Sequence, residues 1–186
     1  MSPAKRARPA PAPAIVPASI KLSFVCGADL SSRLIAWYGN GYGGFSHVDA
    51  VLPSGELLGA RDDAIGDAPP GVQVRPDNYE KWIRRTIVTI LCTQEQAVAW
   101  ERWLRSQIGK PYDSGAIWGF IFGTPSHEQG HWICSACQTG ALKQAGLLHP
   151  FSVPDSQVTP DALFLMSTAG IGGIAEDITP TRRAAA

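Results

Sequence analysis

The sequence predicts an α+β fold: an antiparallel sheet of about five or six strands with one helix packed across it. Three observations lead there. Short β-branched runs bounded by Gly, Pro and Ser crowd residues 20–92. Two of these runs are joined by a Gly-containing turn, the mark of an antiparallel hairpin. The longest helical stripe, over residues 94–108, and the helix that opens at the Cys134 stretch come after these strand-like runs. At 186 residues the chain suits one domain with a sizeable core.

Residues 1–19 form a basic, Pro/Ala-rich arm with Lys5, Arg6 and Arg8, too poor in apolar groups to order itself. No apolar core follows those charges, so no conventional secretory signal is expected and the chain is read as cytoplasmic when made. The domain is expected over 20–168, and the Gly-, Ala- and Thr-rich stretch 169–186 as a loose tail. Residues 20–26 suit a strand, and Asp29 can cap a short helix over 30–37. Gly39, Gly41, Gly43 and Gly44 resemble a phosphate cradle only superficially, since no Lys-Ser or Lys-Thr follows. Residues 45–52 and 56–61 flank Pro53-Ser54-Gly55 as a hairpin. Its two-residue period puts Phe45, His47, Asp49 and Val51 on one face. A strand over 71–75, a helical turn over 78–83 and a β-branched strand over 85–92 come next. Thr93 caps a helix over 94–108 with Gln96 placed for a capping box, and Val98, Trp100, Trp103, Leu104 and Ile108 form its core stripe. Gly109-Lys110-Pro111-Tyr112-Asp113 interrupts the chain; a helix over 135–145 with Gly146 as its C′ residue and a short one opened by Thr159-Pro160-Asp161 complete it.

The chemistry gathers at Cys134. At a helix N-terminus, unpaired N–H groups and the positive end of the dipole favour a thiolate. The alternative is a cysteine simply buried in the core, as Cys26 and Cys92 are read within their strands and Cys137 within the helix. A histidine within reach would take the thiol proton, and the helix N–H groups would meet the developing oxyanion. His47 is the candidate base, with Asp49 beside it on the same strand face. A competing use of these residues is metal, because His127, His131, Cys134 and Cys137 have ligand types that suit zinc. They crowd into residues 127–137 without the longer loop that lets a tetrahedron close, so no metal or cofactor is expected. Sixteen basic and sixteen acidic residues cancel, so neither nucleic acid nor an anionic membrane is indicated as a partner. No apolar run approaches the roughly 18 residues of a membrane span.

Ser46-His47-Val48 opening a hairpin, Gly109-Lys110-Pro111-Tyr112-Asp113 after a helix, and Cys134-Ser135 opening another resemble the circularly permuted NlpC-type, papain-like cysteine hydrolases. The likeness runs over residues 20–168 and is strongest to the YiiX/YebB-like group, with its phage and prophage members. Lecithin retinol acyltransferase and its relatives share the same order of histidine before cysteine. The resemblance implies a papain-like fold, Cys134 as nucleophile, His47 as general base and Tyr112 beside the oxyanion. It also implies a third polar residue about twelve positions after the histidine, where this chain has Gly59; Asp49, Glu56 or a backbone carbonyl could stand in. The implied substrates are peptide or peptidoglycan-type amides, or lipid acyl groups for which residues 117–122 could line a groove. A peptidoglycan target would require delivery by a phage particle, lysis or a secretion system. A non-catalytic phage structural or interaction protein keeping the fold is the alternative from another class.

Overall fold

The computed structural model of the protein describes residues 16–28, 44–115 and 130–179. Among them six strands form one antiparallel sheet: β1 (Pro17–Gly27), β2 (His47–Val51), β3 (Leu57–Arg61), β4 (Gly71–Arg75), β5 (Trp82–Thr93) and β6 (Ile174–Asp177). Their spatial order is β4-β3-β2-β1-β5-β6, so the fold is α+β with a six-stranded antiparallel sheet. Among the described residues three α-helices accompany it, α1 (Gln94–Gln107), α2 (Cys134–Gln144) and α3 (Pro160–Leu165), and α3 runs on into a π-helical turn, Met166–Gly170. No helix among the described residues is long and apolar enough to cross a membrane.

β1 is the spine. It pairs with β2 over Lys21 to Val25 and with β5 along its whole length. Leu22 to Gly27 are buried without alternation, so both faces of the sheet are covered there. The core joins Leu22, Phe24, Val48, Ala50, Val88 and Ile90 of the sheet to Trp100 and Leu104 of α1, Ala141 and Leu142 of α2, and Leu163 of α3. Phe24, Phe45 and Phe164 pack with ring centroids 4.9–5.5 Å apart, joining the start of the hairpin to α3.

Local chemistry explains where the helices begin and end. Thr93 Oγ1 accepts from Gln96 N at 3.2 Å and Gln96 Oε1 from Thr93 N at 3.0 Å, the reciprocal capping box on α1. Helix α2 ends in a Schellman motif: Gly146 has φ 66°, its N–H donates to Lys143 O at 3.0 Å, and Leu147 N donates to Leu142 O at 2.9 Å.

Four expectations are corrected. The stretch beyond 168 is not a loose tail throughout, since Ile174–Asp177 pair with β5 as an edge strand. All four residues are exposed, so the strand rests on main-chain hydrogen bonds and leaves no hydrophobic pattern to read. Ordered strand also begins at Pro17, inside the span assigned to the arm. Residues 78–83 are not a helical turn: Tyr79 N donates to Pro76 O at 3.2 Å in a turn, and Trp82 already belongs to β5. In the α1 stripe, Trp100 and Leu104 are buried but Val98 and Ile108 are exposed. Val98 stands about 200° around the helix from Trp100, and Ile108 is the C-cap, its backbone already extended. The arm 1–15, the Asp29-capped helix, Gly39, Gly41 and Gly43, the 117–122 stretch and His127 lie outside the described residues.

Candidate active site

Cys134 is the first residue of α2, after Ile133 as an extended N-cap, and no side chain caps that helix end. The first N–H groups of the helix therefore point outward beside its Sγ without intrahelical partners. The helix is held in place at two of its next residues. Ser135 Oγ donates to Val158 O at 2.5 Å, and Gln138 Nε2, one turn beyond Cys134, donates to Leu58 O of β3 at 2.9 Å. Both side chains are fully buried, so α2 is fixed in depth and register across β2 and β3.

His47 opens β2. Its approach is set by Ser46 N donating to Val25 O at 2.8 Å and by Phe45 N donating to Asp161 Oδ1, in the first turn of α3, at 2.9 Å. The ring is buried, with Nε2 2.9 Å from Asp49 Oδ2. That N–H axis is not directed at the oxygen, so the contact is a close charge pair rather than an aligned hydrogen bond. Burial alone would lower the His47 pKa. The charges of Asp49 and Cys134 outweigh it and bring the pKa up to about 9. The imidazole thus stands between a carboxylate and a thiol.

Asp49 is itself enclosed. Its Oδ1 accepts from Arg75 Nη2 at 3.1 Å and its Oδ2 from the Tyr79 hydroxyl at 3.0 Å. Burial pushes this carboxyl upward, but the His47 and Arg75 cations, with the hydrogen bond from Tyr79, hold it well below the usual carboxylate range. The carboxylate form is therefore favoured over the neutral acid. Gly59, opposite Asp49 in the hairpin, is where the resemblance sets the third polar residue. A Cβ there would lie 2.1 Å from Asp49 Oδ1. The carboxylate fills the space a side chain at 59 would need, while Gly59 O accepts from Arg75 Nη2 at 2.7 Å. Glu56 takes no part, being exposed in the turn with Oε2 bound by Ser54 Oγ at 2.9 Å.

Tyr112 reaches the site through backbone pairing. Trp132 N donates to Pro111 O and Asp113 N to Trp132 O, each at 3.0 Å, forming a parallel bridge two residues before Cys134. The same segment is tied to β4, where Val72 N donates to Lys110 O and Gly109 N to Val72 O, both at 2.9 Å. Gly71, with φ +134°, permits this approach, since a Cβ would stand 2.3 Å from Lys110 O. Burial first, then the negative charge of Cys134, pushes the Tyr112 phenol well above its ordinary pKa, so it remains a proton donor.

The four cysteines are free. Cys137 is fully buried, and burial followed by the charge of Asp49 pushes its thiol well up, which keeps it protonated within the core. Among the described residues no three or more His, Cys, Asp or Glu side chains gather as a metal would need. The structure therefore brings together Cys134, His47, Asp49 and Tyr112. Sequence reasoning missed Arg75, Tyr79 and Gln138. Only Gln138 had a readable signal, four residues beyond Cys134 and so on its helix face. In comparison with known proteins, no family model and no curated protein matches the chain.

Proposed function

We propose that the protein is a thiol-dependent hydrolase that cleaves an amide of peptide or peptidoglycan type through an acyl-enzyme on Cys134. One observation carries this reading: a buried imidazole held between an ionised carboxylate and a thiol at a helix N-terminus. His47 takes the thiol proton, and Asp49 steadies the imidazolium and its orientation. The thiolate attacks the carbonyl carbon, and the oxyanion meets the first N–H groups of α2 with the Tyr112 hydroxyl as a further donor. His47 then returns the proton to the leaving amine, and later activates the water that releases the acyl group. A His47 pKa of about 9 keeps the imidazolium populated at neutral pH, as a stable thiolate–imidazolium pair requires.

In the same reading the fold is the permuted, papain-like one, with the histidine strand preceding the cysteine helix. The six-stranded sheet crossed by α2 is consistent with it. The substrate then lies in the cytoplasm, or the protein is delivered to a peptidoglycan by a phage particle, lysis or secretion.

The test is alkylation of the native protein with iodoacetamide between about pH 5 and pH 9, with each modified cysteine located by peptide mapping. The expected result is labelling of Cys134 that persists near pH 5–6 and is lost in His47→Ala. Labelling that rises only above about pH 8, as for an ordinary thiol, would overturn the proposal. Release of amine from muropeptides, or of fatty acid from acyl lipids, then separates the two substrate classes.

A further inference from the structure

We propose that Arg75 and Tyr79 are positioning residues of this site, holding the Asp49 carboxylate in the space that Gly59 leaves open and acting on Cys134 only through Asp49 and His47. The inference rests on the proposed function and concerns what keeps its third member in place.

Asp49 hangs from the same strand as His47, two residues on, and a short side chain on one strand has no fixed orientation of its own. Three other elements supply it. From β4, Arg75 is 1% exposed, and its Nη2 bridges Asp49 Oδ1 and Gly59 O. Burying a guanidinium is costly, and Nε and Nη1 have no hydrogen-bond partner here, so general stability does not account for it. What Arg75 does achieve is a fixed position for one carboxylate oxygen. From the turn after β4, Tyr79 donates to the other oxygen at 3.0 Å. Two guanidinium groups lie over its ring, with Arg61 and Arg75 Cζ each 5.0 Å from the centroid. Its hydroxyl accepts from Arg61 Nη1 at 3.2 Å, and Arg61 of β3 is in turn paired with Asp63 and Glu80. The third element is β3 itself, whose Gly59 leaves room for one carboxylate and no side chain.

The charged and titratable groups around the carboxylate and imidazole are thus His47 and Asp49 on β2, Arg61 on β3 and Arg75 on β4. Tyr79 comes from the turn, Cys134 and Cys137 from α2, and Tyr112 and Lys110 from the 110–113 segment. The two positioning residues are one bond further from the thiol than Asp49. Their removal is read at His47 and Cys134, and the direction of the change identifies the role. If Arg75 were only a nearby cation, its loss would raise the His47 titration, because repulsion on the imidazolium is relieved. If Tyr79 only competed for the carboxylate, its loss would strengthen Asp49 as a partner of His47 and raise it too. Loss of position does the opposite.

The experiment compares the full chain with Tyr79→Phe and Arg75→Met. It measures the His47 titration by NMR and the rate of Cys134 alkylation at about pH 6 in each. Tyr79→Phe removes one hydroxyl from a half-buried ring and keeps its packing, so it serves where Arg75→Met fails to fold. The expected result is a lower His47 titration midpoint in each folded variant, with Cys134 alkylation slowed by about tenfold, the equivalent of one charge-assisted hydrogen bond. An unchanged or raised midpoint in Tyr79→Phe would overturn the inference. An unmodified protein whose Cys134 is unreactive at pH 6 would instead overturn the proposed function, so the two failures are distinguishable.

Discussion

A methyl group added to Gly59 would stand 2.1 Å from Asp49 Oδ1, far inside any contact a Cβ atom makes in a folded protein. The carboxylate cannot yield, because Arg75 and Tyr79 hold both its oxygens. Gly59→Ala should therefore cost about 1–3 kcal/mol, the range for overpacking a filled interior. Gly59→Asp should be worse, with two carboxylates in one enclosed space. The pair Asp49→Gly/Gly59→Asp should recover most of that loss, because β3 then delivers the one carboxylate the space accepts. Thermal unfolding of the three variants checks this, and a double variant no better than Gly59→Asp would mean that the space is not specific for a carboxylate. At this scale the sequence was partly legible. His47 and Asp49 share a face by the two-residue period, and Cys134 stands at a readable helix start. Arg75 and Tyr79 were not legible, since they meet Asp49 across 26 and 30 residues of chain and no local period encodes such a meeting.

Helix α2 carries the thiol, and its position depends on how closely α1 lets it approach. A Cβ on Gly140 would lie 2.7 Å from Trp103 Cη2 and 3.1 Å from Cζ2. Trp103 is partly buried and held by its edge-to-face contact with Trp132 at 5.3 Å, so moving the ring would break that contact. Gly140→Ala should separate the two helices and cost about 1–3 kcal/mol, despite alanine's better helix propensity. Because Gln138 anchors α2 to Leu58, the strain should reach Cys134 and slow its alkylation. Urea unfolding checks the first part: a lower midpoint at unchanged m-value marks lost stability rather than a changed denatured state. The features of the elements that could be read are those written in adjacent residues, such as the Thr93/Gln96 capping box and Gly146 after α2. Those that could not be read take their stability from a neighbour. β6 exists because β5 offers an open edge, and the turn at Tyr79 because Asp49 takes its hydroxyl.

The whole molecule gathers its site from five distant stretches because β2, β3 and β4 are adjacent in the sheet, α2 crosses the first two of them, and the 110–113 segment is tied to β4. The pairing of positions 47 and 134 was anticipated only through the resemblance, as chain order and spacing do not dictate it. That gathering ties the site to global stability. His47 has a folded pKa of about 9, above its ordinary value of 6.5, so the folded state holds a proton the unfolded chain gives up between those values. The His47 contribution is complete below about pH 6.5 and is lost as pH rises through about 9. Asp49 has the opposite sign: its folded pKa is depressed, so its contribution is present above about pH 4 and is lost as pH falls further toward the folded value. The pair therefore stabilises the fold most between about pH 4 and 6.5. Replacing His47 by Gln removes the titrating partner and leaves Asp49 on Arg75 and Tyr79. The Tm difference between the unmodified protein and His47→Gln should be largest near pH 5–6 and shrink steadily toward about pH 9–10. A difference that stays constant across that range would show that His47 carries no extra proton in the folded protein, and the buried ion pair would have to be abandoned.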